Sequence, residues 1–178
     1  MIRLFVALDI PSRVREQLTR LQTGVPGARW RTDDQLHLTL RFIGEVDESR
    51  AHDIDDALSA IRAPAFDMEI ASVGEFGGRN PRALWAGVRA NDAIMHLQKK
   101  TETALQRLGL EAETRNFTPH VTLATLKNAP RGRVMDFLAD HALYASGPFR
   151  AGQFVLYSSR LGSSGSIYRP ERTYALTT

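Results

Sequence analysis

The sequence predicts an α+β fold of two pseudo-symmetric lobes, each an antiparallel sheet with helices on its outer face, enclosing a central cleft. Two observations predict it. The stretch Leu36-His37-Leu38-Thr39-Leu40-Arg41-Phe42 recurs as Pro119-His120-Val121-Thr122-Leu123-Ala124, and the surrounding elements repeat in the order strand, helix, His strand, helix, strand. Spacing repeats as well: 34 positions separate Arg3 from His37 and 36 separate Leu84 from His120, while 29 separate each His from the next aromatic strand start, Phe66 or Phe149. An internal duplication of this length builds a pseudo-dimer within one chain. The expected organisation is a single bilobal domain over 1–178, with approximate repeats 1–80 and 81–178, in a monomer.

The elements follow in order. Ile2 to Asp9 is a buried strand closed by Pro11, and Val14, Leu18 and Leu21 recur at helical spacing until Gly24, Pro26 and Gly27. Arg29-Trp30-Arg31 leads through a polar turn to the first His strand, which Gly44 is expected to stop. Asp47 or Ser49 caps a second helix with Ile54, Leu58 and Ile61 on one face. Phe66 to Val73 alternates like a strand. Gly74 to Pro81 is a turn-forming link to the strand Ala83 to Val88. A third helix runs from Asn91 to about Leu108, with Gly109 ending it. After the second His strand come a helix near Arg133 to Asp140, a strand from Gln153 to Ser158, a glycine-serine loop and a last strand from Ile167 to Leu176.

Composition bounds the chemistry. The chain has 178 residues, 43% of them hydrophobic, no cysteine and a formal charge of +3. That is enough apolar material for a substantial core. The missing cysteine removes disulfides and thiolate chemistry, and it fits a reducing, cytoplasmic setting. There is no apolar run of transmembrane length, and Arg3 and Asp9 bracket a segment too short for a signal peptide, so no membrane partner is expected. The modest positive charge suits an anionic partner.

Residues two apart on a strand share a face, so His37 and Thr39 project together, with Arg41 in the same phase, while Leu38, Leu40 and Phe42 project oppositely. His120 and Thr122 do the same over Val121 and Leu123. With five His and thirteen Thr in the chain, random placement yields roughly 0.07 copies of an apolar-flanked His-x-Thr, so two copies are not coincidence. Near-neutral imidazoles can serve as base and acid in one displacement, and hydroxyls can donate to charged phosphoryl oxygens. A metal is not expected: neither His-x-x-x-His nor His-Glu-x-x-His occurs, and no acidic residue flanks either motif in the cleft-facing phase. Trp30, Phe42 and Phe117 are candidates for base stacking or for the core. His52, His96 and His141 read as helix-surface residues.

These residues resemble the two-histidine (2H) phosphoesterase superfamily, and most of all its bacterial and archaeal RNA 2',3'-cyclic phosphodiesterases, also named 2'-5' RNA ligases. The resemblance runs from Arg3-Leu4-Phe5-Val6-Ala7-Leu8-Asp9-Ile10-Pro11, through Trp30 and His37 to Val46, Leu84-Trp85-Ala86-Gly87-Val88, Arg115, Phe117 and Pro119 to Ala124, to Leu156-Tyr157-Ser158, Gly165 and Tyr168. One departure stands out. The family pattern His-x-Thr-Leu-x-Arg ends here in Thr125, with Lys127 two residues on. The resemblance implies metal-independent, cofactor-free hydrolysis of RNA 2',3'-cyclic phosphodiester ends to 2'-phosphomonoesters. In it His37 is the proton donor to the O3' leaving group, His120 the proton acceptor from water, and Thr39 and Thr122 the phosphate-binding hydroxyls. Arg41 and Arg115 are candidate substrate-binding residues. The implied partner is RNA or a nucleotide with a 2',3'-cyclic phosphate. The same pair would equally serve a 2'-5' RNA ligase or a small cyclic-phosphate phosphodiesterase, and a non-catalytic RNA-end-binding module is the reading from another class.

Overall fold

The computed structural model of the chain describes residues 1–177. Ten strands and four helices alternate along these residues: β1 (Ile2–Asp9), α1 (Ser12–Leu21), β2 (Ala28–Trp30), β3 (His37–Val46), α2 (Glu48–Ser59), β4 (Phe66–Met68), β5 (Ile70–Phe76), β6 (Ala83–Val88), α3 (Asp92–Arg107), β7 (His120–Leu126), α4 (Arg131–Asp140), β8 (Phe149–Ala151), β9 (Gln153–Gly162) and β10 (Gly165–Ala175). A single 3-10 turn, Asp33–Gln35, precedes β3.

Eight strands form one antiparallel sheet in the order β10-β9-β1-β3-β7-β6-β5, with β2 also paired to β7. Two half-sheets meet at its middle. One holds β1 and β3 with β9 and β10 from the far end of the chain; the other holds β6 and β7 with β5 from the first half. The second half therefore contributes β9 and β10 to the first lobe, and the first half contributes β5 and β2 to the second. They join where Leu38 pairs with Val121. The two aromatic segments that lie 29 positions beyond each His also meet: β4 and β8 form a separate two-stranded sheet, Met68 opposite Phe149.

Each helix lays an apolar stripe on the sheet. Val14 and Leu18 of α1, Ile54 and Leu58 of α2, Ile94, Leu97 and Leu105 of α3, and Val134 and Phe137 of α4 are buried in one cluster with Leu4, Val6, Leu8, Leu38 and Leu123. Burying each such side chain fully stabilises the fold by about 1.5–3 kcal/mol. Asp47 caps α2 by accepting from the Arg50 N–H, and Asn91 caps α3 by accepting from the N–H groups of Ala93 and Ile94, satisfying donors that a helix start leaves free.

Local signals placed some boundaries differently. The strand expected to stop at Gly44 continues to Val46, because the glycine, at φ +91°, adopts a left-handed conformation that costs it little and lets the strand bend and carry on. The span read as one strand from Phe66 is β4 followed by β5, which reaches Phe76. The turn therefore begins at Gly77, where φ is +110° and a Cβ would lie 2.3 Å from the Asn80 carbonyl oxygen. The residues read as a lead-in to the first His strand include β2, three residues paired with β7.

Candidate active site

The antiparallel register at Leu38 and Val121 sets His37 across from Thr122 and Thr39 across from His120 when continued by one residue either way. All four side chains line one cavity of about 360 Å³. Arg31, Arg41, Arg82 and Arg115 border it too, with Phe42, Phe76, Phe117 and Tyr168.

His37 stands in an aromatic enclosure. Its ring stacks on Phe5 at 4.9 Å and Tyr157 at 5.5 Å between centroids, and meets Tyr168 edge-on at 5.1 Å. Loss of solvent around the ring, helped by the Arg31 charge, lowers its pKa from 6.5 to about 4, since burial and a nearby cation both disfavour imidazolium. His120 has a different setting, with Phe76 edge-on at 5.1 Å and Nδ1 2.7 Å from the Thr118 carbonyl oxygen. A carbonyl only accepts, so Nδ1 carries the hydrogen and Nε2 of the neutral ring keeps a lone pair.

Arg41 does not share the cleft-facing phase. β1 pairs Ala7 with Thr39 but Val6 with Arg41, so Leu40 is an extra residue in β3. The resulting bulge turns Leu40 and Arg41 to the same side. Arg41 is 9% exposed, its Nε 2.5 Å from Glu102 Oε2 of α3, and it donates to the carbonyls of Phe42 and Glu111. Phe42 is returned to the His37 side, opposite Phe5 in register, 5.8 Å from that ring and 60% exposed. A matching bulge in β7, at Leu123, buries Leu123 and Ala124 together and leaves Thr125 exposed.

Arg115 sits at the cavity mouth, 79% exposed, with Nε 3.3 Å from Glu113 Oε1. Backbone and side-chain hydrogen bonds from Arg115 hold the Glu113 carboxyl below its usual range. Of the aromatic candidates, Trp30 packs against Phe137 at 5.8 Å, Phe117 is half-buried against the core, and Phe42 presents its ring to solvent. His52 and His96 lie on α2 and α3, and His141 at the end of α4 meets Phe137 edge-on.

The chain matches the family model described as the 2'-5' RNA ligase superfamily over residues 10–162. The chain belongs to the 2'-5' RNA ligase superfamily. Superfamily relatives named RNA 2',3'-cyclic phosphodiesterase include one from Thermotoga maritima, 30% identical over 94% of this chain and 92% of its own length. Another, from Escherichia coli K12, is 30% identical over 98% of this chain and 97% of its own. Among solved structures, E. coli LigT complexed with 3'-AMP superposes with a TM-score of 0.82 at 26% identity over 99% of each chain. TT0787 of Thermus thermophilus gives 0.82 at 26% over 98% of this chain and 97% of that one. The α+β fold with its central cleft is thus that of the superfamily.

Sequence reasoning did not single out Arg31, Arg82 or Tyr168 as cleft residues, nor Tyr157 as a ring stacked on His37. Arg31 reaches the cleft through β2, which is too short to show periodicity, and the tyrosines arrive on strands from the far end of the chain. Among the described residues, no group of three or more His, Asp or Glu is gathered closely enough to hold a metal ion, and no helix is long and apolar enough to cross a membrane.

Proposed function

We propose that the chain hydrolyses RNA 2',3'-cyclic phosphodiester ends to 2'-phosphomonoesters. The observation that carries this reading is the convergence of both His/Thr pairs on one cavity, each imidazole across from the other motif's hydroxyl. Relatives bearing the phosphodiesterase name over nearly their whole length support it.

In this reading water attacks phosphorus as its proton passes to Nε2 of His120, the nitrogen that the Thr118 carbonyl leaves unprotonated. The P–O3' bond breaks and His37 gives its proton to O3'. Thr39 and Thr122 donate to the non-bridging oxygens as charge accumulates there. An acid with a pKa of about 4 is largely unprotonated at neutrality. The phosphodiester anion, bound beside the ring, opposes both burial and Arg31 and draws the proton back onto His37. The substrate thus helps to charge its own acid.

Arg115 contacts the nucleotide from the cavity mouth. Arg41 acts on the substrate only indirectly, by bracing β3 against α3. The proposal further comprises a single bilobal domain over 1–178 with approximate repeats 1–80 and 81–178, RNA binding, a monomer, metal-independent turnover and a cytoplasmic location. Incubation with 2',3'-cyclic nucleotides and cyclic-ended oligonucleotides of increasing length, with mapping of the product end, tests the reaction. A 2'-phosphate product supports it; a 3'-phosphate, or no turnover of any of them, refutes it.

A further inference from the structure

Four guanidinium groups border the cavity, and two are already engaged. Arg41 is paired with Glu102 and Arg115 with Glu113. Among the described residues, no carboxylate lies within ion-pair distance of Arg31 or Arg82. Arg82 is exposed and can hydrate freely. Arg31 is only partly exposed, so its charge has lost water without gaining a counter-ion, an arrangement that favours an incoming anion.

The backbone beneath Arg31 is fixed. Its N–H donates to the Leu123 carbonyl at 2.8 Å, and its own carbonyl accepts from Gln22 Nε2 at 2.8 Å, an amide that also reaches the Leu123 carbonyl at 3.2 Å. Leu123 directly follows Thr122. The base of the Arg31 side chain is therefore stitched to β7 beside one phosphate-binding hydroxyl, while its charge is felt at His37 in the opposite half-sheet. β7 itself offers the neutral Thr125 where it returns to the cleft side, and its neighbour β2 leads to the cation.

We infer that Arg31 is a phosphate-holding residue, its guanidinium gripping the non-bridging oxygens of a phosphoryl group seated between His37 and His120. The inference rests on the phosphodiesterase reading for the identity of that group and on geometry for the site. A planar guanidinium can donate two parallel hydrogen bonds to one phosphoryl group, whereas an ammonium acts as a point charge.

The test uses the whole chain, inorganic phosphate and a 2',3'-cyclic mononucleotide, with Arg31→Gln and Arg31→Lys. Arg31→Gln weakens inorganic phosphate binding, read by calorimetry, by at least about tenfold, and lowers kcat/KM by about a hundredfold, the scale of losing one placed oxyanion donor. Arg31→Lys restores much of the phosphate binding but leaves kcat at least about threefold down, because the fork is gone. A merely structural role would not produce this split between charge rescue and turnover. Should Arg31→Gln fail to fold, Arg31→Lys decides: wild-type kcat and phosphate binding in that variant overturn the inference, as does phosphate binding within about twofold of wild type in a folded Arg31→Gln. Phosphate binding needs no turnover. A wild type that binds phosphate but cleaves no cyclic nucleotide ends the hydrolase reading and leaves the Arg31 result standing on its own. A wild type that does not bind phosphate ends the inference as well.

Discussion

Leu38 of β3 and Val121 of β7 face each other across the junction of the two half-sheets, and this one pairing aligns the two His/Thr motifs. Both side chains are fully buried, so the register is anchored by core packing. A slip of one residue would turn the apolar side chains to the cleft and the imidazoles into the core.

Acid–base catalysis by the pair predicts a bell-shaped rate against pH, with limbs belonging to the two histidines jointly. Because a bound phosphodiester opposes the effects that hold His37 at about 4, the profile of kcat, which reports the complex, lies at higher pH than that of kcat/KM, which reports the free protein. Steady-state kinetics from about pH 4 to 9 checks this. A flat rate between about pH 5 and 9, or superimposable profiles, contradicts it.

The same group links stability to pH. His37 titrates near 4 when folded and near 6.5 in the unfolded chain, so between those values the unfolded state binds more protons. Its contribution is present above about pH 6.5 and fades as pH falls toward about 4, a loss on the order of 3 kcal/mol. Urea unfolding of wild type and His37→Asn across that window should show a slope in the first that the second lacks. Equal slopes would contradict the assignment.

Arg41 and Arg115 should behave oppositely. Burial pushes the Glu102 carboxyl up, but hydrogen bonds from Arg41, Gln106 and the Glu113 N–H, with the Arg41 charge, hold it below the usual carboxylate range. That contribution to stability persists above the ordinary carboxylate pKa and is lost only as pH falls through the lowered value. Arg41→Ala strands Glu102 and costs about 3 kcal/mol, the lower end for breaking a buried pair. Arg115→Ala, at an exposed site, changes stability by less than about 0.5 kcal/mol and acts on KM. Thermal melts of both variants decide; similar losses would reject the distinction.

Phe42→Ala removes an exposed ring at the cavity edge without opening the core. If the ring stacks a base, KM for a cyclic nucleotide rises by about tenfold, within the range of one base–aromatic contact, with little change in Tm. An unchanged KM would remove Phe42 from the substrate path.

Much of this architecture was legible in the chain. The two apolar-flanked His-x-Thr strands, the helical stripes of α1 and α2 and the matched spacings to Phe66 and Phe149 all report local patterns. What strict alternation could not show is the bulge at Leu40, where one extra residue reverses the phase, buries Arg41 and frees Phe42. In β7 the adjoining apolar pair Leu123-Ala124 was a visible sign of the matching step. The strand exchange between halves, β2 and the placement of Arg31 depend on pairings between distant segments, which no local pattern records.

The most direct test of the two-histidine account is turnover and binding of a 2',3'-cyclic-phosphate oligonucleotide by wild type, His37→Ala and His120→Ala. Loss of each imidazole should cut kcat by at least about a thousandfold while Kd changes by less than about tenfold. Turnover in either variant within about tenfold of wild type, or wild-type binding with no turnover at all, would contradict it.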